Sequence, residues 1–358
     1  MKKIVLTGGG TAGHVTPNMA LIPRLKELGY EIHYIGSYDG IEKTLIEDLG
    51  VPYTGIATGK FRRYFDIKNF SDPFRVLKGI AEAKQALRRI RPDIVFSKGG
   101  FVSVPVVRAA HGLRIPVICH ESDMTPGLAN RLCIPLAAKV CCNFPETMDK
   151  LPDDKAVLTG TPIRPELLAG SRERALAFTG LSGNKPVILV IGGSLGAQAV
   201  NEAVRSALPS LLTDFEVIHL CGRGKKDAAC EGIPGYVQFE YISEELPDLF
   251  ALADLAISRA GANAICELLA LRKPNILIPL PARASRGDQI LNAASFEKQG
   301  FSVVIDEEQM TEEVLTGAVK KLWEEREIYR GKMEESSGTD AAGIIIGLIE
   351  ELRKGGAQ

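Results

Sequence analysis

The 358-residue sequence contains no uninterrupted apolar run of the roughly 18 residues that a membrane-spanning helix needs. Its opening, Met1-Lys2-Lys3-Ile4-Val5-Leu6-Thr7, reaches glycine at Gly8, too early for the apolar stretch of a secretory signal, so a cytoplasmic protein is expected. The seven cysteines include no Cys-x-x-Cys pair, and several lie in apolar runs such as Val117-Ile118-Cys119. Buried free thiols are therefore expected, in preference to zinc ligands or disulfides. His120, Glu121 and Asp123 stand close together, but no second cluster completes a metal site, and adjacent His and Glu do not readily aim at one ion. No low-complexity tract and no short-period repeat is present.

What is present is an ordinary globular composition, 45% hydrophobic and 24% charged, at a length that suits two domains. Residues 1 to 163 carry 22 Lys and Arg against 16 Asp and Glu, net +6, whereas the rest carries 21 against 28, net −7. The two halves therefore differ in what they meet. Short β-branched runs at 4–7, 32–35, 94–97, 117–120 and 140–143 alternate with helical segments, as parallel strands of βαβ units do. The pattern restarts at 187–191, 217–220, 237–239, 255–258, 275–278 and 303–305. Gly160-Thr161-Pro162-Ile163-Arg164-Pro165 is a helix-breaking connection between the halves. The spacing thus predicts an α/β protein with domains at 1–163 and 164–339 and a closing segment at 340–358, amphipathic over 340–353, that packs back toward the N-terminal domain.

Five strand-end segments carry chemistry. Gly8-Gly9-Gly10-Thr11-Ala12-Gly13-His14 matches the dinucleotide spacing, but the second strand ends in Gly36-Ser37 without the acid that would hold a ribose, which weakens an oxidoreductase reading. His14, in the first helical turn, is a candidate general base because the macrodipole disfavours its imidazolium; a capping or packing role is the alternative. Gly192-Gly193-Ser194-Leu195-Gly196-Ala197 offers amides and the Ser194 hydroxyl to a diphosphate, or is a tight turn only. Ser258-Arg259-Ala260-Gly261 leads into a helix whose positive end suits a leaving diphosphate, with Glu267 placed to accept from ribose hydroxyls. Taken alone, Glu267 and Gln289 are ordinary helix residues. Ser97-Lys98-Gly99-Gly100-Phe101 and His120-Glu121-Ser122-Asp123 follow two further strands, where open α/β sheets place ligands.

Residues 60 to 91 hold ten basic against three acidic residues, interleaved with aromatics: Phe61, Arg62, Arg63, Tyr64 and Phe65, then Phe74, Arg75 and Lys78. This composition suits an anionic bilayer surface; a nucleic-acid groove finds no supporting motif, and a solvated helix face is the plain alternative.

In combination these motifs resemble the MurG family, the UDP-N-acetylglucosamine–N-acetylmuramyl-(pentapeptide) pyrophosphoryl-undecaprenol N-acetylglucosamine transferases. The residues that carry the likeness are Gly8 to His14, Gly99 to Ser103, His120 to Asp123, Gly160 to Arg164, Gly192 to Ala197, Arg259 to Gly261 and Gln289. The resemblance implies a GT-B fold, two Rossmann-like doubly wound domains facing across a cleft, and inverting sugar transfer without a metal or cofactor. It implies that Arg164, Ser194, Ile242, Ala262, Asn263, Ala264, Ile265, Cys266, Glu267 and Gln289 hold UDP, while Thr11, Ala12 and Gly13 approach N-acetylglucosamine. His14 would deprotonate the 4-hydroxyl of a polyprenyl-diphosphate-linked muramyl peptide, whose diphosphate would lie near the N-terminal glycine turns, with Gly100 and Asp123 beside that acceptor. The protein would rest peripherally on the cytoplasmic face of the membrane. Some family members carry Asn where Asp123 stands, which puts the role of Asp123 in question, since a carboxylate only accepts hydrogen bonds. A diacylglycerol glycosyltransferase or a nucleotide-sugar-binding protein without turnover are the alternatives.

Overall fold

The structure is a computed structural model that describes residues 1–59, 72–192, 197–283, 287–336 and 340–355. It divides into two compact units, Met1–Arg164 with Asp340–Gln358, and Pro165–Thr339.

In the first unit β1 (Lys2–Thr7), β2 (Tyr30–Ser37), β3 (Tyr53–Ile56), β4 (Ile94–Ser97), β5 (Val117–Glu121), β6 (Lys139–Cys142) and β7 (Ala156–Leu158) form one sheet. All neighbours run parallel in the order β3-β2-β1-β4-β5-β6-β7. Both faces are covered, so the central strands are apolar at nearly every position and successive residues serve opposite cores. Val5, Val95, Val117 and Val140 pack into one core. Ile4, Leu6, Ile94, Phe96 and Ile118 pack into the other, joined by Ile345, Ile346 and Ile349 of the C-terminal helix Ala341–Gly355. The two strands that the β-branched pattern does not announce, β3 and β7, are the sheet edges, short and only half-buried.

The second unit repeats the plan with β8 (Val187–Ile191), β9 (Glu216–Leu220), β10 (Tyr236–Phe239), β11 (Leu255–Ser258), β12 (Asn275–Leu277) and β13 (Ser302–Val304), all parallel, in the order β10-β9-β8-β11-β12-β13. Both sheets reverse direction of winding beside their first strand, between β1 and β4 and between β8 and β11. The loops at such a switch point diverge to opposite faces and leave a crevice at the strands' carboxyl ends. The glycine turns at 8–13 and 99–100 flank the first of these points, and Arg259 to Gly261 flank the second. Among the described residues no helix is long and apolar enough to cross a membrane.

Candidate functional site

The crevice of the first unit is built on close backbone approach. Gly10 and Gly100 adopt left-handed φ values of 88° and 81°. A Cβ on Gly100 would lie 2.3 Å from the carbonyl oxygen of Gly9 and 3.3 Å from His14 Nδ1, and one on Gly10 would meet the Phe101 ring at 2.4 Å. Glycine is therefore required at both turns for them to touch.

His14 closes a 3₁₀ turn, Ala12–His14, immediately before the helix Thr16–Glu27 rather than within that helix's first turn, as its sequence position suggested. Its Nδ1 lies 3.0 Å from Thr11 Oγ1. Thr11 and Ala12 are exposed, and Gly13 and His14 are half-buried, so the turn presents itself at the surface of the unit.

Behind the turn lies a carboxylate that the strand pattern gave no reason to select. Glu42 is fully buried; its Oε2 accepts from Gly10 N at 3.2 Å, and its Oε1 from Ser37 N at 3.1 Å and Ser37 Oγ at 2.5 Å. The acid missing from the end of β2 is thus supplied from the helix Ile41–Glu47, but it is turned onto the glycine loop. A carboxylate on the second glycine of the fingerprint opposes a dinucleotide's pyrophosphate there, which tells against the oxidoreductase reading. Tyr34 OH donates to the Gly8 carbonyl at 2.8 Å, and Asn18 Nδ2 donates to Thr7 O and to Tyr34 OH, both at 3.1 Å, so the loop is held from beneath as well.

The β5 end is architecture of the same kind. Glu121 is buried, and its oxygens accept from Asp123 N at 3.0 Å, Gly127 N at 3.1 Å and Asn130 Nδ2 at 2.8 Å. Burial raises its pKa above the usual carboxylate range in spite of those donors. His120 Nε2 faces the Gly160 carbonyl at 2.8 Å and its Nδ1 faces Lys98 Nζ at 2.9 Å. Burial, then the Lys98 charge, push the imidazole well below its ordinary pKa, so it is neutral. It donates through Nε2 and accepts at Nδ1, which engages the lone pair a metal ion would take. Asp123 is half-buried beside this network.

In the second unit the helix Ala262–Ala270 begins after Gly261, where an added Cβ would meet nothing within 4 Å. Within 262–267, Ile265 and Cys266 turn their side chains into the protein, 0% and 8% exposed, so only their backbone could meet a ligand, while Asn263, Ala264 and Glu267 are half-buried. Gln289 Oε1 accepts from Leu280 N at 3.1 Å, which fixes the direction in which its amide nitrogen faces. Ile242 is half-buried beside exposed Tyr241, whose ring lies 5.3 Å from the Arg223 guanidinium. Arg259 is spent inside the unit: it donates to the Ile278 carbonyl at 3.0 Å and pairs with Glu307, which ties the ends of β11 and β12 to the segment after β13.

Arg164 ends the first unit, with its Nε buried and without a hydrogen-bond partner among the described residues. Ser194 and the segment Phe61, Arg62, Arg63, Tyr64 and Phe65 lie outside the described residues. Of the basic-aromatic segment, Phe74 is 75% exposed at the start of the helix Asp72–Ile90, with Arg75 and Lys78 exposed beside it. Sequence reasoning passed over Glu42 and Asn130 and gave Lys98 no role of its own; their side chains reach partners up to 32, 10 and 24 positions away.

Two family models match: the glycosyltransferase family 28 N-terminal domain over residues 4–142 and the glycosyltransferase family 28 C-terminal domain over residues 187–345. A UDP-N-acetylglucosamine–N-acetylmuramyl-(pentapeptide) pyrophosphoryl-undecaprenol N-acetylglucosamine transferase of Lachnoclostridium phytofermentans is 66% identical over 99% of both chains. The protein of the same name from Lachnospira eligens is 64% identical over 99% of this chain and 100% of its own. The crystal structure of Acinetobacter baumannii MurG superposes with a TM-score of 0.79 at 28% identity, covering 98% of this chain and all of that one.

Proposed function

The chain belongs to the MurG family of glycosyltransferase family 28, and from that premise we propose that it moves N-acetylglucosamine from UDP-N-acetylglucosamine onto an N-acetylmuramyl-(pentapeptide) pyrophosphoryl-undecaprenol. The observation that carries this is 66% identity sustained over 99% of the chain, which leaves neither unit outside the likeness.

In this reading the second unit takes UDP. The first turn of the helix Ala262–Ala270 faces the diphosphate with its positive end, Glu267 accepts from the ribose hydroxyls, and Gln289 and the backbone at Ile242 hold the remaining polar edges. Ser194 and Arg164 complete the diphosphate contacts, as the family resemblance implies.

The first unit takes the acceptor. The acceptor 4-hydroxyl attacks the anomeric carbon, the bond from that carbon to the UDP oxygen breaks with its electron pair going to UDP, and the hydroxyl proton passes to His14. Thr11, Ala12 and Gly13 lie along the sugar's edge, with Gly100 beside them. Asp123, an acceptor only, suits a sugar hydroxyl. Attack opposite the leaving group inverts the anomeric centre. The glycine turns, Glu42 and the Asn18–Tyr34 pair keep this surface fixed, so little reorganisation is needed as charge develops.

We place the protein peripherally on an anionic membrane surface, at the cytoplasmic face where UDP-sugars are found. Exposed Phe74 and Leu77 alternate with Arg75 and Lys78 at the start of one helix, which supports an apolar dip flanked by cations. The test of the whole reading is turnover: UDP should be released from UDP-N-acetylglucosamine only when a polyprenyl-diphosphate muramyl acceptor is supplied. Release with diacylglycerol instead, or none with the muramyl acceptor, overturns it.

A further inference from the structure

Two segments of the first unit, the one that follows β5 and the one between β6 and β7, border a cavity of about 410 Å³. Three prolines and Ile134 make its walls apolar, and Arg131, Lys150 and Thr125 supply its polar lining. Lys150 Nζ donates to the Met124 carbonyl and to Thr125 Oγ1, both at 3.2 Å, which uses two of its three hydrogens. Arg131 Nε donates to the Pro126 carbonyl at 3.1 Å, which leaves the guanidinium's two NH2 groups for other acceptors. These acceptors are uncharged, so both cations are held in place without being neutralised.

Carboxylates stand nearby. Asp123 is half-buried two residues before Thr125, Glu146 is half-buried on the helix Pro145–Met148, and Asp149, Asp153 and Asp154 are exposed around Lys150 and Pro152 in the chain. Glu121 faces into its own loop, held by three donors. None of these acids lines the cavity, and among the described residues neither Arg131 nor Lys150 forms an ion pair with one. Two further cations lie outside the lining: Lys139 Nζ donates to the Asp154 carbonyl at 2.9 Å, and Lys155 Nζ to the Pro135 carbonyl at 3.0 Å. The neighbourhood as a whole is therefore not basic, but the wall that a bound group would touch is, and in water and salt the charges at contact distance dominate.

Apolar walls with a guanidinium and an ammonium among them suit the end of a peptide, a carboxylate with a small side chain beside it. A diphosphate, charged along its length, gains nothing from the prolines. A pentapeptide joined to a muramyl group through its amino end keeps its carboxyl terminus. Extended, such a peptide spans up to about 17 Å. Thr125 is two residues from Asp123, at most about 7 Å along the chain. An acceptor whose sugar lies at Asp123 can therefore lay its peptide end in this cavity. We propose that the cavity is the acceptor's peptide subsite, in which Arg131 and Lys150 hold the terminal carboxylate. The inference rests on the transferase reading and gives the peptide a place of its own in the first unit.

The experiment is steady-state transfer by the full-length protein at saturating donor, with two muramyl acceptors that differ only at the peptide's end, one a free acid and the other its carboxamide. Inorganic pyrophosphate serves as a competitor against each. Wild type should show a KM about five- to tenfold higher for the carboxamide, the scale of charge-assisted bonds at a part-exposed site. In Lys150→Met and in Arg131→Gln the KM for the free acid should rise towards that of the carboxamide, while the carboxamide's own KM and the pyrophosphate Ki stay at wild-type values. Lys150→Arg, which keeps the charge, should retain the preference for the acid. A variant that only disturbs the loop would raise both KM values alike, and cations that serve the diphosphate would raise Ki. Either result overturns the proposal, as does an equal KM for the two acceptors in wild type, and each leaves the transferase reading standing. Absence of wild-type turnover with both acceptors overturns that reading and this inference with it.

Discussion

Thr11 Oγ1 and His14 Nδ1 lie 3.0 Å apart, at the two ends of one 3₁₀ turn. If the ring hydrogen sits on Nδ1 and donates to the hydroxyl, the lone pair falls on Nε2, the tautomer that a base acting through Nε2 requires. His14→Ala is expected to lower kcat by roughly 10²- to 10⁴-fold, the usual worth of a positioned base, while donor affinity measured by calorimetry stays near wild type. Thr11→Val, which removes the hydroxyl and keeps the shape, should lower kcat less, by about tenfold. A His14→Ala enzyme that turns over at the wild-type rate would remove His14 from the mechanism.

Glu42 holds the loop that carries those residues. Replacing it by Ala strands the donors Gly10 N and Ser37 N in the interior, and an unsatisfied buried donor costs about 1–3 kcal/mol. Denaturant unfolding should show Glu42→Ala less stable by about 2–4 kcal/mol. Glu42→Gln should fall in between, because both carboxylate oxygens are acceptors and an amide supplies only one. Equal stability of Glu42→Gln and wild type would mean that the carboxylate is not the anchor.

How much of this was legible in the sequence follows from how local each feature is. The glycine turns could be read directly, since strand, glycine and helix start are consecutive residues and the conformation is set where the glycine stands. The central strands were legible because a strand buried on both faces must be apolar throughout, whereas β3 and β7, half-buried at the edges, carry no such pattern. Glu42 reaches Gly10 across 32 positions and Lys98 reaches Ser122 across 24. No local pattern marks a charged side chain that folding will turn inward, so Glu42 went unselected and Lys98 entered only as part of a glycine turn. Likewise Arg259 stands within a motif read as a ligand site, yet its own guanidinium pairs with Glu307, 48 positions away. The C-terminal helix was legible as amphipathic and was expected to pack back toward the N-terminal domain, but the residues it meets there, Ile4 and Leu6 among them, lie at the opposite end of the chain and carry no local sign of it.

That helix yields a pH prediction. Glu350 accepts from Lys2 Nζ at 3.0 Å, Tyr30 OH at 2.5 Å and Arg353 at 3.3 Å. Burial works against its charged form, but the bonds from Tyr30, Lys2 and Arg353 prevail and bring its pKa down to about 2. A carboxylate depressed in the folded state contributes its full stability above its unfolded pKa, about 4.3, and loses it as pH falls through the folded value. Glu350→Gln should therefore melt below wild type at pH 7, with the gap closing between about pH 5 and pH 2. A gap that stays constant across that window would show that the charge of Glu350 is not what holds the helix.

The contact between the two glycine turns can be tested by adding a single carbon. Gly100→Ala brings two separable penalties. One is conformational: a φ of 81° disfavours any residue with a Cβ, by roughly 1 kcal/mol. The other is steric: the new Cβ would lie 2.3 Å from the Gly9 carbonyl oxygen, backbone that cannot rotate away, so the turns must part and His14, 3.3 Å from the same Cβ, must move with them. Gly29 supplies the control. Its φ is 77°, nearly the same, but a Cβ there meets nothing within 4 Å. Gly29→Ala should lose about 1 kcal/mol in denaturant unfolding and keep its transfer rate. Gly100→Ala should lose more stability than that and also lose turnover by about 10²-fold, the scale of a reacting group displaced by about 1 Å. Because the added carbon touches only the first unit's own loops, UDP affinity should match wild type in both variants. If Gly100→Ala behaves like Gly29→Ala in both assays, the contact between the turns has no part in catalysis, and the fixed position of His14 must be traced to Thr11 and Glu42 alone.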